Sequence, residues 1–266
     1  MSEWVKAMML GMVEGMTEFL PVSSTGHLIL AGDLLNFQGD GAHTFEVVIQ
    51  LGAVLAVLLL YWKRYWAIAA DLIRFRFPKD RLNAIHMVLA MIPALVVYLL
   101  FKDLIKTKLF GPGPVLWALI LGGLLLLVSV KIRRKRTAET SDDLSYGQAL
   151  GIGLFQCLAL WPGFSRSGST ISGGMLLGTS QKAAADFTFI ISVPVMLGAT
   201  VLDMYASRDQ LSSGDLGLFL VGFLAAFAVG MVIVTAFLKL IKKLDLSWFA
   251  YYRFALAGLF YFFVMR

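Results

Sequence analysis

Apolar residues come in long runs separated by short polar breaks. A helix that crosses a bilayer needs about 20 mostly apolar residues. Six runs approach that length: 45–62, 84–101, 114–131, 184–203, 215–238 and 249–265. Two further stretches, 4–35 and 148–178, are apolar but interrupted, the first at 21–27 and the second at 162–170. Either side of each break is too short to span. Each stretch therefore reads as a re-entrant helix–loop–helix. The expected fold is an all-α integral membrane protein with six transmembrane helices and two re-entrant pairs.

Composition supports lipid as the solvent. Hydrophobic residues are 59% of 266 and charged residues 15%, too few charges to cover a water-facing surface of this size. The net charge of +6 sits in short loops between apolar runs, which suits anionic headgroups rather than nucleic acid. Lys63, Arg64, Arg74, Arg76, Lys79 and Arg81 follow the first span, and Lys131, Arg133, Arg134, Lys135 and Arg136 follow the third. Lys239, Lys242 and Lys243 lie between the last two spans. The alternate loops hold only Lys102, Lys106 and Lys108, then Arg208. The positive-inside rule places the first set in the cytoplasm and both termini outside. The first broken pair then enters from the outer face and the second from the cytoplasmic face. The single cysteine, Cys157, excludes an internal disulfide. Glu3, Glu14 and Glu18, with no small-residue cleavage site, argue against a removable signal peptide. The sequence is compatible with a homodimer and does not specify one.

The two halves align at an offset of 142. Gly11 falls on Gly153, Glu14 on Gln156, Ser23 on Ser165, Ser24 on Arg166, Gly26 on Gly168 and Phe45 on Phe187. Repeat one is 1–131 and repeat two 148–266, each one broken element plus three spans. An odd number of spans inverts the second copy relative to the first, as in many transporters. Irregular backbone at membrane depth is tolerated only where it is buried or lines a cavity. The two loops should therefore meet and form the site.

Glu14 and Glu18 lie four apart on one helix face. Carboxylates in hydrocarbon are expensive and need a partner, and a divalent cation such as Mg²⁺ or Ca²⁺ suits their oxygens. The bland reading pairs them with Arg or Lys. The first loop offers Ser23, Ser24, Thr25 and His27 ahead of a helix N-terminus, which attracts anions. Ser23 and Thr25 serve equally well as ordinary caps. His27 can move a proton near neutral pH. The second loop offers Ser165, Arg166, Ser167 and Thr170, with Arg166 as a planar fork for phosphate oxygens. Glu46 and Gln50 are candidates for a supporting layer. Asp71, Asp103 and Asp203 read as solvated, His43 and His86 as interfacial, and Arg253 as a snorkelling side chain. The six tryptophans, Trp161 among them, read as interfacial anchors.

The strings at 14–27, Glu-Gly-Met-Thr-Glu-Phe-Leu-Pro-Val-Ser-Ser-Thr-Gly-His, and at 162–170, Pro-Gly-Phe-Ser-Arg-Ser-Gly-Ser-Thr, resemble the signature regions of the bacitracin-resistance family of undecaprenyl-pyrophosphate phosphatases. The likeness covers the whole chain, including Phe-Glu-Val-Val-Ile-Gln-Leu-Gly at 45–52, with no departure at key positions. The resemblance implies hydrolysis of undecaprenyl pyrophosphate in the bacterial inner membrane, a divalent-metal requirement, a site open to the periplasm, and bacitracin resistance on overproduction. It assigns Glu14 and Glu18 to metal and catalysis, Ser24, Thr25 and His27 to one active-site loop, and Ser165, Arg166 and Thr170 to the other. The attacking group is either Ser24 or a water activated by His27 or a glutamate. A lipid-phosphate flippase or transporter using the same site is the alternative.

Overall fold

The computed structural model describes residues 1–37, 41–132, 134–206 and 216–266, with backbone alone at 202–206. Arg133, Arg208 and the Asp203 side chain, used above, lie outside the described residues. The described chain is helical, with one isolated bridge between Ala138 and Thr179. Eleven α-helices follow in order: α1 Glu3–Thr17, α2 Ser24–Leu34, α3 Ala42–Leu60, α4 Trp62–Ile73, α5 Ala84–Leu104, α6 Pro112–Lys131, α7 Tyr146–Gln156, α8 Arg166–Leu176, α9 Gln181–Ala206, α10 Leu216–Leu240 and α11 Ser247–Phe260. Helical turns of other pitch extend α5 through Leu109, α7 through Leu160 and α11 through Met265.

Six of these helices are long and apolar enough to cross a membrane: Ala42–Leu60, Ala84–Leu109, Pro112–Lys131, Gln181–Val201, Leu216–Leu240 and Ser247–Met265. They match the six expected runs to within three residues at each end, except that the second continues eight residues further, to Leu109. Asn83 caps α5 by accepting the Ile85 amide at 3.0 Å, and Ser145 caps α7 by accepting that of Gln148 at 3.2 Å. Abundant exposed apolar side chains on these helices, such as Leu99, Leu100, Val201 and Val232, fit a multi-pass protein surrounded by lipid.

The two interrupted stretches form the pairs α1–α2 and α7–α8. α1 packs along α10 and α7 along α5, while α3 faces α9 and α6 faces α11. Small residues allow these approaches. A Cβ on Gly11 would sit 2.2 Å from the carbonyl oxygen of Gly222 on α10. A Cβ on Gly153, its counterpart at offset 142, would sit 2.6 Å from the carbonyl oxygen of Ala90 on α5. Pro93 and Pro194 interrupt α5 and α9. The carbonyl of Ile190, four residues before Pro194, is taken up by the Tyr65 hydroxyl at 2.8 Å.

Four sequence expectations change. Residues 62–73, within the first basic connection, form the helix α4, with Trp62 and Trp66 exposed and Ile68 buried. His86 is buried, not interfacial, because its ring is held by Asn83 and the Leu144 carbonyl. Asp71 is paired with Arg81 at 2.7 Å rather than simply solvated. Arg253 is completely buried and cannot snorkel.

Candidate functional site

The breaks in the two helix pairs are built alike. Ser23 and Ser165 both adopt positive φ, 71° and 72°, a conformation that L side chains occupy at a cost. Each then caps the next helix, Ser23 accepting the Gly26 amide at 3.2 Å and Ser165 the Gly168 amide at 3.1 Å. This turn delivers the following residue, Ser24 or Arg166, to the same place. Ser24 Oγ donates to Glu18 Oε2 at 2.5 Å, and Arg166 Nη2 donates to Glu18 Oε1 at 2.8 Å. One carboxylate thereby joins both loops. Ser167 Oγ adds a second stitch, donating to the Leu20 carbonyl at 2.8 Å. The Arg166 guanidinium also lies 5.9 Å over the Phe19 ring, which limits its swing.

A cavity of about 240 Å³ opens here. Its polar lining includes Glu18, Ser23, Ser24, Thr25, Ser165 and Arg166, with Gln50, expected as a supporting residue, also in the wall. Its apolar lining includes Ala94 of α5, Leu160, and Val195, Met196 and Ala199 of α9. The α2 and α8 N-termini, whose dipoles favour anions, both start at this cavity. Arg166 Nη1 is buried without a hydrogen-bond partner, a donor whose acceptor is missing from the chain around it.

The remaining expected residues lie at the edge of the cavity or behind it. Thr170 is buried, its hydroxyl donating to the Arg166 carbonyl at 2.9 Å and accepting from Thr188 at 2.8 Å. Ser167 is likewise enclosed. His27 is turned toward α11: its Nδ1 donates to the Ser23 carbonyl at 2.7 Å, and its Nε2 accepts from the Tyr252 hydroxyl at 2.6 Å. The two rings stack at 5.5 Å. Glu14 is 1% exposed and is not part of the cavity wall, yet it lies within electrostatic reach of Glu18, Glu46 and Arg166.

Glu14 has the donor chemistry that a divalent cation takes. Both its carboxylate oxygens are buried with no hydrogen-bond donor, a state that calls for a cation or a proton. Among the described residues no three His, Cys, Asp or Glu side chains converge, so such an ion would need oxygens from ligand or water as well. Two polar wall residues were not among the site candidates of the sequence reading. Trp161, taken there as an interfacial anchor, has an indole N–H without a partner in the cavity wall. Gln156 has an unsatisfied Oε1 there, and its position opposite Glu14 in the repeat was the signal that marked it. The chain matches the family model described as "Bacitracin resistance protein BacA" over residues 7–259.

Proposed function

Because the chain belongs to the bacitracin resistance protein family, we propose that it hydrolyses undecaprenyl pyrophosphate to undecaprenyl phosphate and inorganic phosphate, renewing the lipid carrier of peptidoglycan synthesis. One observation carries the chemical reading. A single carboxylate, Glu18, accepts hydrogen bonds from a hydroxyl and from a guanidinium in the wall of one cavity. That is a nucleophile beside its base and beside a phosphate clamp.

In this reading the pyrophosphate enters the cavity beside Ser24 and Glu18, held by Arg166 Nη1, the Trp161 N–H and the α2 and α8 N-termini. Thr25 and Ser165 assist, while Ser23, Ser167 and Thr170 hold the loops in shape. Ser24 Oγ attacks the terminal phosphorus as its proton passes to Glu18 Oε2. The bond to the bridging oxygen breaks, and undecaprenyl phosphate leaves as its new terminal oxygen takes that proton from Glu18, which returns to the carboxylate. Water, deprotonated by Glu18, then attacks the phosphoserine and releases phosphate, and the proton returns to Ser24. Glu14 and Glu18 would hold a divalent cation together with substrate oxygens, and when bound it neutralises charge that grows on the phosphates. His27 steadies the Ser23 carbonyl from behind. Phosphoryl transfer needs such positioning and charge stabilisation above all. The prenyl chain leaves along the apolar lining supplied by α5 and α9.

The same reading makes α1–α2 and α7–α8 re-entrant elements of an inverted repeat in the inner membrane, with the cavity open to the periplasm. Its support is reciprocal packing: α1 on α10 and α7 on α5, with matched caps at Ser23 and Ser165. The test is phosphate release by purified protein in detergent, with acid quench during turnover. Free phosphate and a labelled Ser24 are expected. No phosphate release without a second compartment would return the protein to the transporter class.

A further inference from the structure

Arg253 is the bulkiest completely buried side chain among the described residues. It stands on α11, within the last apolar span. Its guanidinium donates four hydrogen bonds, all to backbone. Nε reaches the Leu119 carbonyl at 3.0 Å, and Nη2 the Ala118 and Gly163 carbonyls at 3.0 Å each. Nη1 reaches the Phe164 carbonyl at 2.9 Å. Among the described residues no carboxylate pairs with it.

A buried cation without a counter-ion is expensive. Helix packing alone does not call for one. The α6 carbonyls of Ala118 and Leu119 lie inside a continuous helix, so their bonds to Arg253 are additional to the ladder. What the arginine alone supplies is a rigid plane that binds two separate elements at fixed spacing, which a lysine ammonium cannot reproduce. The residues it ties to α6, Gly163 and Phe164, immediately precede Ser165 and Arg166. Its charge also lies behind the first turn of α8, since a Cβ on Gly168 would stand 3.4 Å from Nη1. The fold makes room for it, because a Cβ on Gly122 would sit 2.2 Å from Nη2 and 2.6 Å from the Phe164 carbonyl oxygen.

We propose that Arg253 is a positioning residue of the phosphate site: it clamps the Gly163–Phe164 backbone to α6 and so sets Arg166 against Glu18. The kinetic consequence rests on the phosphatase reading above; the clamp itself does not.

Arg253→Lys keeps the charge and removes the fork. Gly122→Ala keeps the arginine and wedges the clamp apart. Amide hydrogen exchange over 162–170 should quicken in both by roughly tenfold, the factor for loss of about one net hydrogen bond, with 18–27 changed less. kcat per folded molecule should fall on the order of 10²-fold, the scale of a misplaced clamp, with KM within about threefold. Unchanged exchange over 162–170 in both variants overturns the proposal. So does a lowered melting temperature with wild-type kcat per folded molecule, which would mark a structural arginine only. If Arg253→Lys does not fold, Gly122→Ala decides by the same readouts. If the wild type releases no phosphate, the phosphatase reading fails, and the exchange measurement still decides the clamp.

Discussion

Replacing Glu18 with glutamine keeps the shape of the central side chain and removes its charge. The carboxylate now accepts from Ser24 at 2.5 Å and from Arg166 at 2.8 Å. An amide has one oxygen, so one of those donors loses its acceptor. Loss of a general base lowers rates by about 10²–10⁴-fold, or roughly 2.7–5.5 kcal/mol of barrier at 1.36 kcal/mol per decade. Breaking a buried ion pair from one side destabilises by about 3–5 kcal/mol. The lower end applies here, because the Arg166 side chain keeps 12% exposure at the cavity. Binding should move the other way. Arg166 Nη1 already lacks a partner, and Nη2 would be freed to meet an anion. A charge-assisted bond contributes about 1.5–3 kcal/mol, so inorganic phosphate should inhibit Glu18→Gln at roughly tenfold lower concentration than wild type. The assay is phosphate release with phosphate as product inhibitor, alongside a thermal melt. A variant with wild-type kcat refutes the base assignment. A variant in which kcat and phosphate affinity fall together refutes the claim that Glu18 and phosphate compete for Arg166.

Ser24→Ala should give no acid-stable phosphoprotein and a turnover at least about 10²-fold down; activity near wild type would make water the attacker. Chelation should stop phosphate release, and Glu14→Gln should raise the metal concentration needed for half-activity about tenfold or more; an unchanged metal requirement would exclude Glu14 as ligand. Ala199→Phe puts a bulky ring into the apolar lining of the cavity, so undecaprenyl pyrophosphate should suffer more than a short-chain prenyl pyrophosphate; equal losses would move the chain's exit elsewhere. On the basic side, burial alone would raise the Asp142 carboxyl, but hydrogen bonds from Arg64 and the Leu82 amide outweigh it and hold the group below its ordinary value of 3.8. A depressed folded value stabilises the fold above pH 3.8, and that stability is lost as pH falls through the lower folded value. Melting temperature against pH should therefore drop more steeply below pH 4 in wild type than in Asp142→Asn, and parallel curves would dissociate this pair from acid stability.

The parts of the fold legible in the sequence are those written in local composition. Span lengths and the two breaks follow from runs of apolar residues, and the matched caps at Ser23 and Ser165 follow from the 142-residue offset. Glu18 and Arg166 could be nominated as partners because each was an ionisable group at membrane depth with nothing nearby in sequence to satisfy it. The illegible parts depend on who answers a buried polar group. Arg253 reads as a snorkelling residue from its own helix, yet its acceptors are carbonyls of residues 118, 119, 163 and 164, which side-chain patterns do not report. His27 reads as a proton carrier, yet its ring is held by Tyr252, 225 residues away. Trp161 reads as an interfacial anchor because half the tryptophan surface is apolar whichever solvent it meets. These three share a cause. Hydropathy reports the solvent outside the protein, whereas a cavity inside a membrane bundle has walls as apolar as lipid and needs few polar atoms. The useful signal there is a surplus of donors and acceptors over local partners. By that criterion Arg253, with five donors and no acid within its helix, outranks every other residue of the last span, and the fold buries it completely.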